Sequence, residues 1–174
     1  DEGATGRAIY LASILGVDMG MFYKRRDYTK IVNGSNPIVA HEFLGRNVEG
    51  KDVIIIDDMI SSGESVLEVA AALKKRNARK IFICSTFGLF TNGLHKFDEY
   101  HQNGLIDRIF TTNLIYQTPE LLSRPYYTSV DMSKYIALII DYLNHGMSVS
   151  ELLNPVDRIN KCLDKFKAGK NKEN

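Results

Sequence analysis

This chain has almost no net charge: 22 Lys and Arg stand against 21 Asp and Glu, leaving +1 over 174 residues. Without a global field, neither nucleic acid nor a membrane is expected as a partner. Cysteine is also scarce. Cys84 and Cys162 are far apart and have no metal-ligand spacing. They read as reduced thiols of a cytosolic protein, so a cytoplasmic location is expected, and a disulfide between them stays open. No apolar run reaches membrane-span length, and no signal peptide is visible. The four histidines, His41, His95, His101 and His145, lack paired ligand spacing and read as surface or packing residues. There is no internal repeat. There is no initiator methionine either; a chain opening on Asp1 is expected of a fragment, a processed product or a trimmed protein. What is present is ordinary for a soluble globular domain: 44% hydrophobic and 25% charged residues, with a length that can bury a core.

The hydrophobic pattern predicts alternating helices and strands. Ala8, Leu11, Ala12 and Leu15 form a helical stripe within residues 4 to 16, with Gly16 as a stop. Met19 to Tyr23 suits a short buried strand, followed by Lys24-Arg25-Arg26. Residues 27 to 36 read as a flexible loop, and Ile38 to Leu44 as a strand. Val53 to Ile56 and Lys80 to Thr86 read as fully buried strands, as in a parallel sheet. A helix is predicted from Glu64 to a stop at Asn77, another from Asn92 to Asn103. Two strands follow, at 106–111 and 126–130. Ser133 to Asn144 is a strong helix whose Ile136, Ile139, Ile140 and Leu143 should face the core. Beyond Ala168 the lysine-rich tail should be disordered. The fold class is α/β, doubly wound around a largely parallel sheet with helices on both faces. The first helix has no strand before it, so the sheet is expected to lack a strand.

The richest stretch is "VIIIDDMISSGESVLEVA", residues 53 to 70. Ligands of open parallel sheets bind beyond the carboxyl ends of strands, where Asp57 and Asp58 are expected. Ser61 to Ser65 then fall at a helix start, where unpaired amides and the helix dipole favour an anion. Gly63 permits close backbone approach. The carboxylates would repel a phosphate but suit vicinal hydroxyls or a divalent cation. One ligand satisfies both halves: a sugar phosphate. The loop is not a Walker motif, because no Gly-Lys-Ser/Thr follows. The simpler alternative is helix capping by Asp and Ser. Glu64 fits that alternative more easily, since with a phosphate present it must point outward.

"VIIIDDMISSGES" resembles the signature of the type I phosphoribosyltransferase fold. Further segments resemble ribose-phosphate pyrophosphokinase, the synthetase of phosphoribosyl pyrophosphate (PRPP). They are "DEGATGRA", "FYKRRD" at the approach to the family's catalytic flexible loop, "VEGKDVIIIDD", "TTNLI" and "SVSELL". The match runs in order over about residues 1 to 155. It corresponds to the C-terminal half of the family protein, without the adenine-binding half or the strand leading into "DEGA". Residues 1–168 would be that domain and 169–174 a polar tail. The family's loop is usually Asp-Thr-x-Gly-Thr. Here Ser61 replaces the acid and Glu64 takes a small-residue position, while "HEFLGRNVEG" and "TPELLSRPYY" mark a divergent branch.

The resemblance implies transfer of the diphosphoryl group of ATP to ribose 5-phosphate, giving PRPP and AMP, in an intact homo-oligomer using Mg²⁺. Lys24 and Arg26 would be mobile-loop cations stabilising the transferred group. Asp1 would bind the metal. Asp57 and Asp58 would hold ribose hydroxyls or a hydrated metal. Ser61, Ser62, Gly63, Glu64 (through its N–H) and Ser65 would cradle the 5-phosphate. A lone fragment should lack full activity. Two alternatives stay open: a phosphoribosyltransferase that consumes PRPP, and a non-catalytic regulatory homologue. Tyr126 and Tyr127 read as strand packing rather than base stacking, and Cys84 as core rather than nucleophile.

Overall fold

A computed structural model describes residues 2–26 and 38–170. Asp1, the predicted loop at 27–36 and the last four residues of the tail lie outside the described residues. The main sheet has four parallel strands in the order β3-β4-β5-β6. They are β3 (Asp52–Ile60), β4 (Lys80–Gly88), β5 (Arg108–Thr112) and β6 (Tyr127–Val130). Their Ile, Val, Phe and Thr suit a pleated, half-buried surface. The register aligns Val53 with Ile81, Ile83 with Ile109 and Phe110 with Thr128. Helices α2 (Glu64–Lys74) and α3 (His95–Gln102) follow β3 and β4, as the crossover between parallel strands requires. The turn after α2 passes through Asn77 at φ 60°, a conformation Asn tolerates, so the predicted stop is real.

The core lies between the sheet and these two helices. Ile81, Ile83 and Ile109 from the strands meet Leu67, Ala70, Leu73 and Phe97 from the helices. On β4 and β5 the alternate residues Phe82, Cys84 and Phe110 are only partly buried. The expectation of a fully buried β4 is therefore corrected: one face is packed and the other only half covered. Burial also fails for β3, where Ile54 is 54% exposed. The cause is position, since β3 is an edge strand of its sheet. That bare edge is where a further strand would pair. Tyr126 and Tyr127 are buried as predicted, and Cys84 and Cys162 are free thiols.

Strand β1 (Met21–Arg26) is not part of the main sheet. It pairs antiparallel with β2 (Ile38–Leu44) in a separate ribbon. Phe22 and Phe43 stack at 5.1 Å, and the Arg76 guanidinium covers both rings at 5.7 and 5.5 Å. This contact anchors the ribbon beyond the C-terminal end of α2. Helix α1 (Glu2–Leu15) lies against β3, and Gly16 at φ 65° ends it.

The short α4 (Pro119–Leu122) is capped by Thr118, whose Oγ1 accepts from the Leu121 amide at 3.1 Å. Helix α5 (Ser133–Asn144) carries the expected stripe, yet Ile140 and Leu143 are 55% and 64% exposed. None of the stripe is fully buried, so its prediction as core is corrected. After α6 (Ser150–Leu153), helix α7 (Val156–Lys170) packs on α1 and carries the chain two residues past the Ala168 boundary.

Asp98 on α3 ties the far side of the domain together. Arg124 Nε and Nη2 donate to its two oxygens at 2.9 and 3.0 Å, and the Tyr126 hydroxyl donates at 2.6 Å. Partial burial pushes the Asp98 carboxyl upward, but the Tyr126 and Arg124 bonds outweigh it and hold it below its ordinary 3.8. A depressed carboxyl stabilises the fold above its unfolded pKa and loses that stability as pH falls through the folded value. Asp98→Asn is expected to cost about 1–2 kcal/mol near neutrality, the scale of charged hydrogen bonds. It should also flatten the stability loss below about pH 4. Urea denaturation of both forms at neutral and acid pH checks this.

Candidate functional site

Strand β3 runs to Ile60, so Asp57 and Asp58 lie on its last stretch rather than past its end. Asp57 is half-buried and Asp58 exposed. The Asp58 amide donates to Asp57 Oδ1 at 2.9 Å. Burial raises the Asp57 carboxyl, and the adjacent Asp58 carboxylate adds to the rise. Asp58 moves the other way: the hydrogen bond it shares with Asp57 lowers it, and Arg7 assists. Arg7, from α1, reaches Asp58 Oδ2 at 3.7 Å. The two adjacent carboxyls are thus shifted in opposite directions, Asp57 upward and Asp58 downward.

The chain then turns from β3 into α2. Gly63 is the N-cap, at φ 87° and ψ −7°, and no side chain caps the helix. Only a long 3.4 Å contact runs from the Glu64 amide to Ser62 Oγ. Among the described residues neither aspartate accepts a hydrogen bond from an α2 amide, so capping does not account for the acid pair. The turn is held from beneath. Leu89 and Phe90 amides donate to the Ile60 carbonyl at 2.8 and 3.4 Å, and the Thr91 amide to the Ser61 carbonyl at 3.0 Å. Its carbonyls are used, while among the described residues the Ser61, Ser62 and Gly63 amides donate to no protein group. With the open end of the α2 dipole they leave a turn that can receive an anion.

Phe97 explains the glycine. Its ring is fully buried under the turn, and a Cβ on Gly63 would lie 2.1 Å from its Cζ. Glu64 points outward, as a bound anion would require, and Lys96 Nζ meets its Oε1 at 3.1 Å. A cavity of about 330 Å³ runs along the bare edge of β3, walled by residues such as Leu11, Phe22, Ile55 and Val66, and reaches Asp57 and Ser65.

Lys24 and Arg26 lie within strand β1, with Lys24 opposite His41 and Arg26 opposite Ile38 across an irregularity in the register. They are therefore strand residues at the approach to 27–37, not loop residues as expected. Among the described residues no group of three or more His, Cys, Asp or Glu side chains converges. Asp1, the expected metal ligand, is outside them. The oxygen donors of Asp57 and Asp58 suit Mg²⁺, which takes one or two carboxylates and leaves most positions to water and phosphate. Arg7 and Lys96 were not singled out from sequence. Arg7 stood inside "DEGATGRA", but nothing marked Lys96.

The sequence model of the phosphoribosyl synthetase-associated domain matches residues 35–154. The chain belongs to that family. Similar relatives from several bacteria carry the name ribose-phosphate pyrophosphokinase. The one from Vibrio parahaemolyticus is 28% identical over 88% of this chain and 46% of the relative. The one from Mycoplasma genitalium is 32% identical over 87% of this chain and 44% of the relative. The chain thus spans about half the length of the curated relatives it matches. A crystal structure of phosphoribosylpyrophosphate synthetase from Mycobacterium smegmatis shares the fold. Its TM-score is 0.65 at 23% identity, over 83% of this chain and 43% of that one. The family membership agrees with the resemblance read from the motifs. The α/β class with a parallel sheet is likewise as predicted. Among the described residues no helix is long and apolar enough to cross a membrane.

The glycine at the turn gives a direct test of its construction. Gly63→Ala forces a side chain into a left-handed conformation, costing about 1–3 kcal/mol, and drives it into the Phe97 ring. It is expected to lower the thermal midpoint and to broaden the amide signals of Ser61 to Ser65. Calorimetry and amide NMR of the variant measure both.

Proposed function

We propose that this chain is the sugar-phosphate-binding part of a ribose-phosphate diphosphokinase, which moves the diphosphoryl group of ATP to ribose 5-phosphate. The observation that carries the reading is the turn at Ser61–Gly63, whose amides donate to no protein group among the described residues, beside a half-buried Asp57 and an exposed Asp58. The amides of Ser61 to Ser65 hold the 5-phosphate, and Asp57 and Asp58 hold the ribose hydroxyls. The anomeric hydroxyl attacks the β-phosphorus of ATP. A C1–O–P bond forms, the bond to the α-phosphate oxygen breaks, AMP leaves, and the hydroxyl proton is released. Lys24 and Arg26 meet the charge on the transferred oxygens, Arg through a bidentate fork and Lys as a point charge. Mg²⁺, held by Asp1 with the neighbouring carboxylates and the polyphosphate, would supply further neutralisation. ATP and ribose 5-phosphate are the partners in this reading, and the intact cytoplasmic enzyme is a homo-oligomer.

A second reading rests on Ser61 and Glu64, which depart from the family's usual loop: a regulatory homologue that binds the sugar phosphate without turnover. The intact protein separates the two. AMP released from ATP and ribose 5-phosphate supports the enzyme, and binding without AMP supports the regulator. Pyrophosphate released from PRPP and a nucleobase would instead identify a phosphoribosyltransferase. Residues 1–174 alone are expected to bind ribose 5-phosphate in a titration but to release no AMP. In the intact enzyme Lys24→Ala should lower kcat by about 100-fold or more with little change in the ribose 5-phosphate KM, the pattern of a contact made in the transition state. Asp57→Asn should instead raise that KM.

A further inference from the structure

The anion turn contains a negative charge of its own. Glu64 contributes an amide to the turn and is the first residue of α2, so its carboxylate is on the same helix end that a phosphate would occupy. Left alone, it would compete for the positive end of the helix dipole and repel a dianionic phosphate. Its partner comes from another element. Lys96 on α3 places Nζ 3.1 Å from Glu64 Oε1, with both side chains largely exposed.

The placement of Lys96 is not explained by its own helix. It is the second residue of α3, where a cation opposes the helix dipole. Its position on the helix is, however, fixed by its neighbours. The next residue, Phe97, is fully buried under Gly63, and Asp98 after it is locked by Arg124 and Tyr126. The aromatic contact that shapes the turn therefore also sets the cation beside Glu64.

Building on the sugar-phosphate reading, we propose that Lys96 is a positioning residue for the phosphate turn. By pairing with Glu64 it holds that carboxylate outward and cancels its charge, and so tunes the affinity of the turn for a phosphate monoester. It acts through Glu64 and does not itself grip the phosphate.

The test is a double-mutant cycle in the intact protein, with ribose 5-phosphate binding followed by titration calorimetry. Lys96→Ala is expected to weaken binding by about two- to fivefold, the range that an exposed charge contact supplies. Lys96→Arg should restore it, and the loss should shrink as salt is raised. Glu64→Gln should tighten binding, and adding Lys96→Ala to Glu64→Gln should cause no further loss. Unchanged affinity in Lys96→Ala overturns the proposal. So does an undiminished loss in the double variant, which would place Lys96 on the phosphate itself. If the unsubstituted protein binds no ribose 5-phosphate, the sugar-phosphate reading falls, and this proposal with it.

Discussion

The contact between Gly63 and the ring of Phe97 is what the site depends on. A turn that is to offer its amides to an anion cannot use them to hold itself in place. Here the grip comes from elsewhere. Three amides of the segment after β4 take the turn's carbonyls, and a buried aromatic ring fills the space where a side chain would stand. Phe90 meets Phe97 edge-on at 5.0 Å, so the support extends into the core. The donors stay free because the acceptors and the apolar surface do the holding. This links packing to function: the parallel pairing of β3 and β4 brings the two loops side by side at the carboxyl ends of the strands.

Much of this was legible in the sequence. The helix and strand cores follow from periodicity, and the turn that ends α2 passes through Asn77, the predicted stop. The turn is legible because Asp57 to Ser65 are contiguous, so one strand-to-helix junction places them all. What was not legible depends on distance along the chain or on what lies next to an element. "VIII" reads as buried from either side, and only the strand order reveals that β3 is an edge with Ile54 exposed. The stripe of α5 has the period of a core helix, and period says nothing about whether a neighbour is present. Met21 to Arg26 has strand character, but not the information that it pairs with β2 alone. Glu64 was awkward in sequence because its partner, Lys96, belongs to a different helix.

Electrostatics gives the site its consistency. A phosphate dianion about 7 Å from a carboxylate feels roughly 0.6 kcal/mol of repulsion per pair of unit charges in water, and about four times that near a protein surface. Two bare aspartates and a glutamate around an anion turn would therefore work against it. The molecule attends to each acid by a separate local means. Burial and the neighbouring Asp58 carboxylate raise the Asp57 carboxyl, Arg7 attends Asp58, and Lys96 attends Glu64. The acid pair keeps its capacity to accept hydrogen bonds from hydroxyls, and Arg7 partly balances its charge. Near-zero net charge over the whole chain thus coexists with closely set opposite charges at one strand end. A ligand with a dianion at one end and neutral hydroxyls at the other matches that arrangement, whereas a ligand charged throughout would meet repulsion at one half of it.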